Sequence, residues 1–396
     1  MDWISHEPAL IFEPVERARA LAPAIAAAAD ETERERRVAA SVMRQLHDGR
    51  MFRLLLPRSL DGAELDPVSY VRVIEEVAKA DASTAWCLNQ NCVCSMMAGY
   101  LDPGEAREIF GPPDAVLAWG SQGGDGYAQV TDGGYLVTGS WAFASGSRRA
   151  TWLGAHCPIV ERDGTRRLRR PGVAEIRTMM FPIEQAVMTD IWHVMGLRGT
   201  GSDAYTVTGL FVPELHAAKR DDPSERRHPG LLYCVPTGSF YASGFAGLAL
   251  GVARAMLDEL LRLAVDKTPR GAKNTLRENA VIQSQVSQAE ARLRSARAFL
   301  FDSLTEIWRA VVGGGEITFD QRMQIRLAST WAINEAEKVA SATYSAAGST
   351  AIFQNQAFER RFRDIHAVTQ QVQGRPVHFE TVGAHVMGLD TDSPFV

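Results

Sequence analysis

One apolar register near the C-terminal end constrains this chain more than any other feature. Ile282, Val286, Ala289, Leu293, Ala296, Leu300, Leu304, Ile307 and Val311 advance 29 residues in eight steps, about 3.6 per step, which is the repeat of a straight amphipathic helix. A stripe about 45 Å long cannot bury itself, so it requires long helical partners. The sequence offers three, over 248–263, 321–347 and 361–386. Together they predict a bundle of four long antiparallel helices.

Upstream, residues 14–110 also read as helical, with an Ala-rich run and a segment opened by Pro67 that carries Val68, Val71, Ile74, Val77 and Ala78 on one face. The rhythm changes at Gly111-Pro112-Pro113, after which Gly and alternating β-formers run to about Pro213. Thr131-Asp132-Gly133-Gly134 and Arg162-Asp163-Gly164 are hairpin signals. The charged stretch 216–230 reads as a solvated loop. The expected fold class is therefore α+β: an N-terminal helical domain over 1–113, a central antiparallel β domain over 114–215, and a C-terminal four-helix bundle over 216–396.

A chain of 396 residues has room for a deep pocket, and 46% hydrophobic with 22% charged residues is the balance of a soluble globular protein. The net charge of −5 provides no field for phosphate polymers, so nucleic acid is not an expected partner. No stretch of about 18 uninterrupted apolar residues occurs, which argues against a spanning helix. Five cysteines, an odd number, and a start without a basic and apolar leader (Met1-Asp2-Trp3-Ile4-Ser5-His6-Glu7-Pro8) point to the cytoplasm.

Several chemistries are excluded by context. Gly123-Gly124-Asp125-Gly126 leads into a hairpin and 196–201 into alternating residues, so neither opens a helix that could hold a pyrophosphate. No phosphate loop, HExxH or nucleophile elbow occurs. Cys87, Cys92 and Cys94 have no nearby His, Asp or Glu to complete a tetrahedral metal set, which leaves buried thiols as the reading. Trp141, Phe143 and Ser145 alternate, so on an extended strand they would share one face. Such a wall of two rings and a hydroxyl suits a flat cofactor, or else a strand with core aromatics that ends in a Ser-Gly turn.

Four segments in order carry a resemblance: Asp81-Ala82-Ser83-Thr84-Ala85-Trp86, Gly134-Tyr135 to Trp141-Ala142-Phe143-Ala144-Ser145-Gly146, Gly196-Leu197-Arg198-Gly199-Thr200-Gly201-Ser202, and Arg361-Phe362-Arg363-Asp364. They resemble the flavin-dependent monooxygenase branch of the acyl-CoA dehydrogenase superfamily. The resemblance implies a homotetramer that takes reduced flavin (FMN or FAD) from a separate NAD(P)H flavin reductase and oxygenates a small-molecule substrate. It implies that Trp119, Gly120 and Ser121 contact the flavin, that Trp141 and Phe143 pack on its ring, that Ser145 and Gly146 lie at its N5 edge, and that Arg198 and Arg363 are cofactor contacts. Arg363 and Asp364 could equally form an internal ion pair.

An acyl-CoA dehydrogenase also needs a carboxylate base to remove a proton from carbon. The two family positions for it fall near Val372 and Tyr241, neither of them acidic. The monooxygenase branch carries substrate-side histidines eight residues after the Trp of Ser-Thr-Ala-Trp and eight after the Arg of Arg-Asp; here these are Cys94 and Gln371. Cys94, Gln371 and His193 are accordingly expected on the substrate side, with His366 or His378 as substitutes, and a heteroatom substrate would not need the missing bases. The rival readings are an FAD-dependent dehydrogenase of an acyl thioester and a catalytically silent assembly or binding protein of the same fold.

Overall fold

The computed structural model describes residues 13–122 and 124–391. The N-terminal octet read above, and Gly123, lie outside them. Six helices come first: α1 (Pro14–Ala27), α2 (Ala29–Glu35), α3 (Ala40–Asp48), α4 (Pro67–Ala80), α5 (Ala82–Ser95) and α6 (Pro103–Phe110). Their starts are written locally. Asp66 accepts from Ser69 N at 2.9 Å ahead of Pro67, and the Asp81 carboxylate takes both the backbone N–H and the hydroxyl of Thr84 at 2.7 Å. Such caps contribute about 1 kcal/mol each, and the second fixes where α5 begins.

The strands follow: β1 (Leu117–Trp119), β2 (Ser121–Gln122), β3 (Tyr127–Thr131), β4 (Gly134–Ala144), β5 (Trp152–Val160), β6 (Leu168–Arg170), β7 (Val173–Ala174), β8 (Ile176–Pro182), β9 (Val187–Thr189), β10 (Asp203–Pro213) and β11 (Ala217–Ala218). The main sheet runs β11-β8-β5-β3-β4-β10-β9, with β1 beside β5 and β2 beside β4. It is mostly antiparallel, but β5 pairs in parallel with both β1 and β3. Asp132-Gly133 turns β3 into β4, with Gly133 at φ 74°.

The last helices are α7 (Thr237–Asp266), α8 (Ala280–Val312), α9 (Phe319–Ala347), α10 (Ala357–Thr369) and α11 (Val377–Val386). On α8 the predicted stripe is buried from Ala289 to Val311, while Ile282 and Val286 in its first two turns are half-buried. The fourth bundle helix is not continuous. It breaks between Thr369 and Val377, where Gly374 and Pro376 cannot carry an α-helical ladder. One helix, Thr237–Asp266, is long and apolar enough to cross a bilayer, but 89% of its most apolar window is buried inside the fold.

Two hydrophobic cores result. One joins the N-terminal helices to the C-terminal bundle, from Ala18 through Val77 and Leu250 to Val368; the other fills the sheet around Trp141, Leu153, Phe181 and Tyr205. The buried Glu75 on α4 forms an ion pair with Arg297 on α8 at 2.8 Å, tying the two helical regions together. Helix α5 lies where these cores meet, against both α7 and β1.

Candidate active site

Helix α5 presents Trp86, Gln90 and Cys94 at four-residue spacing, so they form one stripe about 12 Å long. On α7, Tyr241 and Phe245 do the same and stack at 6.2 Å between ring centres. The stripes meet: the Trp86 and Phe245 rings are 4.2 Å apart, and Gln90 Nε2 donates to the Tyr241 hydroxyl at 3.3 Å. Cys94 Sγ lies 3.5 Å from the same hydroxyl. Burial pushes the Cys94 thiol up to about 12, against smaller opposing effects from Tyr241 and Arg220, so it is a neutral group at physiological pH. Burial likewise raises the Tyr241 hydroxyl.

At the other end of the stripe, Trp86 Nε1 donates to Ser145 Oγ at 2.9 Å. Ser145 Oγ is 2.7 Å from Ser202 Oγ, which is 2.7 Å from Thr200 Oγ1, which donates to Leu197 O at 2.9 Å. Asn91 braces the turn below, its Nδ2 donating to Leu117 O at 3.1 Å and to Ser145 O at 3.2 Å. Trp86, Gln90, Asn91, Thr200, Ser202 and Phe245 were not singled out as site residues from sequence. The four-residue spacing on α5 was the signal that could have found Gln90.

The shared face expected of Trp141, Phe143 and Ser145 does not form. Between Trp141 and Ala144 the strand β4 has two residues where β10 has one, a bulge with Phe143 in the left-handed region at φ 63°. Trp141 therefore turns inward, fully buried and stacked on Tyr205 at 5.4 Å. Phe143 turns outward, 59% exposed and edge-on to Trp192. Left-handed backbone on a bulky residue is strained, and such strain concentrates at functional sites.

The other expected contacts are distributed unevenly. The Trp119 ring packs against Gly154 and edge-on to His156 at 4.9 Å, so its side chain faces β5. At Gly120 the chain approaches Ala142 O so closely that a Cβ would lie 2.2 Å away, and Ser121 is exposed beside it on β2. The Gly146 N–H is spent on Thr200 O at 2.8 Å, which leaves the Ser145 hydroxyl as the polar side-chain group of this turn. The glycine-rich loop 196–202 approaches protein rather than ligand: a Cβ on Gly196 would be 2.1 Å from Arg363 O.

Arg198 and Arg363 converge on one carboxylate of this chain. Glu33 lies 3.3 Å from Arg198 and 2.7 Å from Arg363, and Arg363 also pairs with Glu359, one turn away on α10. Arg363 does not pair with Asp364, which instead accepts from Leu197 N at 2.6 Å. His193 is exposed among Arg36 and Asp190 and shares no contact with Cys94 or Tyr241 among the described residues. Gln371 sits in the break after α10, its Oε1 accepting from Gln373 N at 2.8 Å and its Nε2 buried without a partner. His366 faces Glu337 and His378 faces Val372 O, so both side chains have partners of their own.

The chain matches the acyl-CoA dehydrogenase N-terminal domain over residues 15–103 and the acyl-CoA dehydrogenase C-terminal domain over residues 243–375. It is 30% identical to indole-3-acetate monooxygenase of Pseudomonas putida, over 90% of this chain and 89% of that protein. It is 27% identical to the flavin-dependent monooxygenase oxygenase subunit HsaA of Rhodococcus jostii, over 89% and 92%. Among solved structures, 3-HSA hydroxylase from Rhodococcus sp. RHA1 superimposes with a TM-score of 0.88 at 25% identity, covering 99% of this chain and all of that one. XiaF from Streptomyces sp., solved with FADH2 and glycerol, has the same fold at a TM-score of 0.88 and 23% identity, covering 96% of each chain. The chain belongs to the acyl-CoA dehydrogenase family, in its branch of flavin-dependent monooxygenases.

Proposed function

We propose that this chain is the oxygenase component of a two-component monooxygenase that uses reduced flavin and O2 to oxygenate a small aromatic or heteroatom-bearing substrate. The observation that carries the reading is the α5 stripe: a hydroxyl at Ser145 and a neutral polar group at Cys94 and Tyr241, joined by the apolar pair Trp86 and Phe245. Reduced flavin, when bound, supplies two electrons, so that one atom of O2 enters the substrate and the other leaves as water.

The residues present suit that group. Phe143, exposed and edge-on to the half-buried Trp192, offers an aromatic ring beside the one hydroxyl of the turn whose backbone N–H groups are already spent. Ser145 would hold the ring edge, Phe143 and Ser121 would line it, and Trp86 and Phe245 would exclude water, which keeps reduced oxygen from leaving as peroxide. Cys94, Gln90 and Tyr241 would orient the substrate. No carboxylate contacts Cys94, Gln90 or Tyr241 among the described residues, so no base stands ready for α-proton removal from an acyl thioester.

The reductase is a separate protein, the assembly a homotetramer and the location cytoplasmic. Exposed apolar side chains on β9 and the loop after it, Val187, Met188, Ile191 and Met195, support the assembly, and five free cysteines support a reducing compartment. The test is to mix the purified chain, reduced FMN or FADH2, 18O2 and an aromatic panel, and to weigh the products. One labelled oxygen in the product is the expected result. A tightly bound flavin reduced anaerobically by an acyl-CoA would establish the dehydrogenase instead, and no binding of either reduced flavin would leave a silent assembly protein.

A further inference from the structure

Cys87 and Asn91 form a second stripe on α5, one residue on from Trp86 and Gln90 and so about 100° round the helix. Between this stripe, the loop after α2 and the turn that follows Ser145 lies a cavity of about 10 Å³, room for one water molecule or one ion of that size. Its lining includes three arginines, Arg37, Arg148 and Arg149, and among the described residues no aspartate or glutamate.

Two of the three cations are answered by this chain. Arg37 pairs with Glu35 at 3.1 Å, and Arg148 pairs with Asp203 at 2.6 Å and with Asp190 at 2.9 Å. Arg149 has only a backbone carbonyl. Its Nε donates to Val38 O at 3.0 Å, its Nη2 is buried without a partner, and it makes no ion pair among the described residues. Burial, and next Arg37, hold the guanidinium below the usual arginine range, against smaller opposing effects from Glu35 and Glu31. A buried N–H with nothing to accept it is unfavourable, and more so on a charged group than on a neutral one.

The other polar groups at the cavity bring no negative charge. Burial raises the Cys87 thiol, so it stays protonated, and it donates to Thr200 O at 3.7 Å. Asn91 Nδ2 is engaged by Leu117 O and Ser145 O. A water in the cavity accepts from Nη2 but leaves the charge unbalanced, whereas a single-atom anion answers both.

We propose that this cavity is a halide site, in which a chloride ion accepts from Arg149 Nη2 beneath the turn that carries Ser145. The room is too small for the five heavy atoms of a phosphate, so the flavin phosphate is not the occupant, and the inference does not rest on the monooxygenase reading. Because Arg149 follows Ser145 by four residues and already bonds Val38 O, the ion ties the serine turn to the loop after α2.

Two measurements on the full-length protein, without flavin, test this. In wild-type crystals soaked in sodium bromide, anomalous scattering should place one bromide in the cavity, within hydrogen-bonding reach of Arg149 Nη2. In solution, the melting temperature in sodium chloride or bromide should exceed that in sodium gluconate of equal ionic strength by about 1–2 °C, the shift that a ligand bound only to the folded chain gives at about ten times its dissociation constant. Arg149→Gln, which keeps a donor and loses the charge, should abolish that difference, and Arg149→Lys should retain part of it. If Arg149→Gln does not fold, the bromide map and Arg149→Lys still decide.

Four results would overturn the assignment. Water in place of bromide in the wild-type crystals would make this an ordinary hydrated cavity. Bromide in the crystals with no melting difference in solution would mean binding at crystal concentration only. An equal halide advantage in Arg149→Gln would put the responsible site elsewhere, and loss of the bromide on adding reduced FMN would assign the cavity to the flavin.

Discussion

Replacing Gly146 by alanine probes how firmly the serine turn is held. Gly146 lies at φ 78°, in the left-handed region where a Cβ costs about 1 kcal/mol. The new methyl would stand 2.3 Å from Asn91 Oδ1, far inside van der Waals contact. Asn91 has no easy retreat, because it is buried and its Nδ2 holds both Leu117 O and Ser145 O. Turning the amide aside breaks both bonds at about 1 kcal/mol each, for a total loss of about 3 kcal/mol. That is a large fraction of the stability of an ordinary domain. Urea unfolding followed by tryptophan fluorescence measures it, within a cycle of Gly146→Ala, Asn91→Ala and the double variant. Asn91→Ala alone should cost about 2 kcal/mol, and the double about 3 kcal/mol rather than the additive 5, since the obstructed bonds are lost only once. Costs that add to within about 0.5 kcal/mol would mean that the methyl never presses on Asn91, and the account of the turn would be wrong.

Ser145→Ala should leave reduced-flavin binding within a few-fold and divert oxygen to peroxide. A lost hydrogen bond of about 1 kcal/mol corresponds to roughly a five-fold change in the ratio of product to H2O2, and an unchanged ratio would assign that role to another group. Cys94→His places an imidazole where the resemblance leads one to expect a histidine. It should bring measurable phenol hydroxylation together with a stability loss of about 1–3 kcal/mol from overpacking a fully buried site, and a stable variant inactive on phenols would count against the role of this position. Asp364 is pushed up to about 7, by burial first and by Asp81 second. Its folded pKa exceeds the roughly 3.9 of an exposed aspartate, so the stability it lends is fully present below about pH 4 and is lost as pH rises through about 7. Asp364→Asn keeps an acceptor for Leu197 N–H and should therefore gain melting temperature relative to wild type between pH 5 and pH 8; parallel profiles would refute the assignment.

What the sequence made legible was local and periodic. The α8 stripe, the helix start at Pro67 and the Asp132-Gly133 turn follow from neighbours within a few residues, and each is found in place. Features set by distant partners were not. The bulge that sends Trp141 inward and Phe143 outward depends on the register of β10, about sixty residues away. Arg198 and Arg363 looked available until Glu33, 165 residues from Arg198 in sequence, met both. The break after α10 was hidden because Gly374 and Pro376 were counted within a longer apolar pattern. The stretch 216–230 read as solvated, and only in three dimensions do Lys219, Asp222 and Glu225 prove to be paired.

The hydroxyl chain behind Ser145 has a direction, and its hydrogens can be counted. Each of the three hydroxyls has one to give. When Thr200 donates to Leu197 O, Ser202 must donate to Thr200 and Ser145 to Ser202, so Ser145 presents only lone pairs outward. If all three rotate, Thr200 donates to Ser202, Ser202 to Ser145, and Ser145 points its hydrogen outward. The sole bond given up is that to Leu197 O, which keeps Trp192 Nε1 at 2.9 Å and Thr200 N at 3.1 Å as donors. Both polarities are therefore nearly degenerate, and neither moves a heavy atom. One serine can thus meet a ring edge that offers a hydrogen and the same edge after it has lost one.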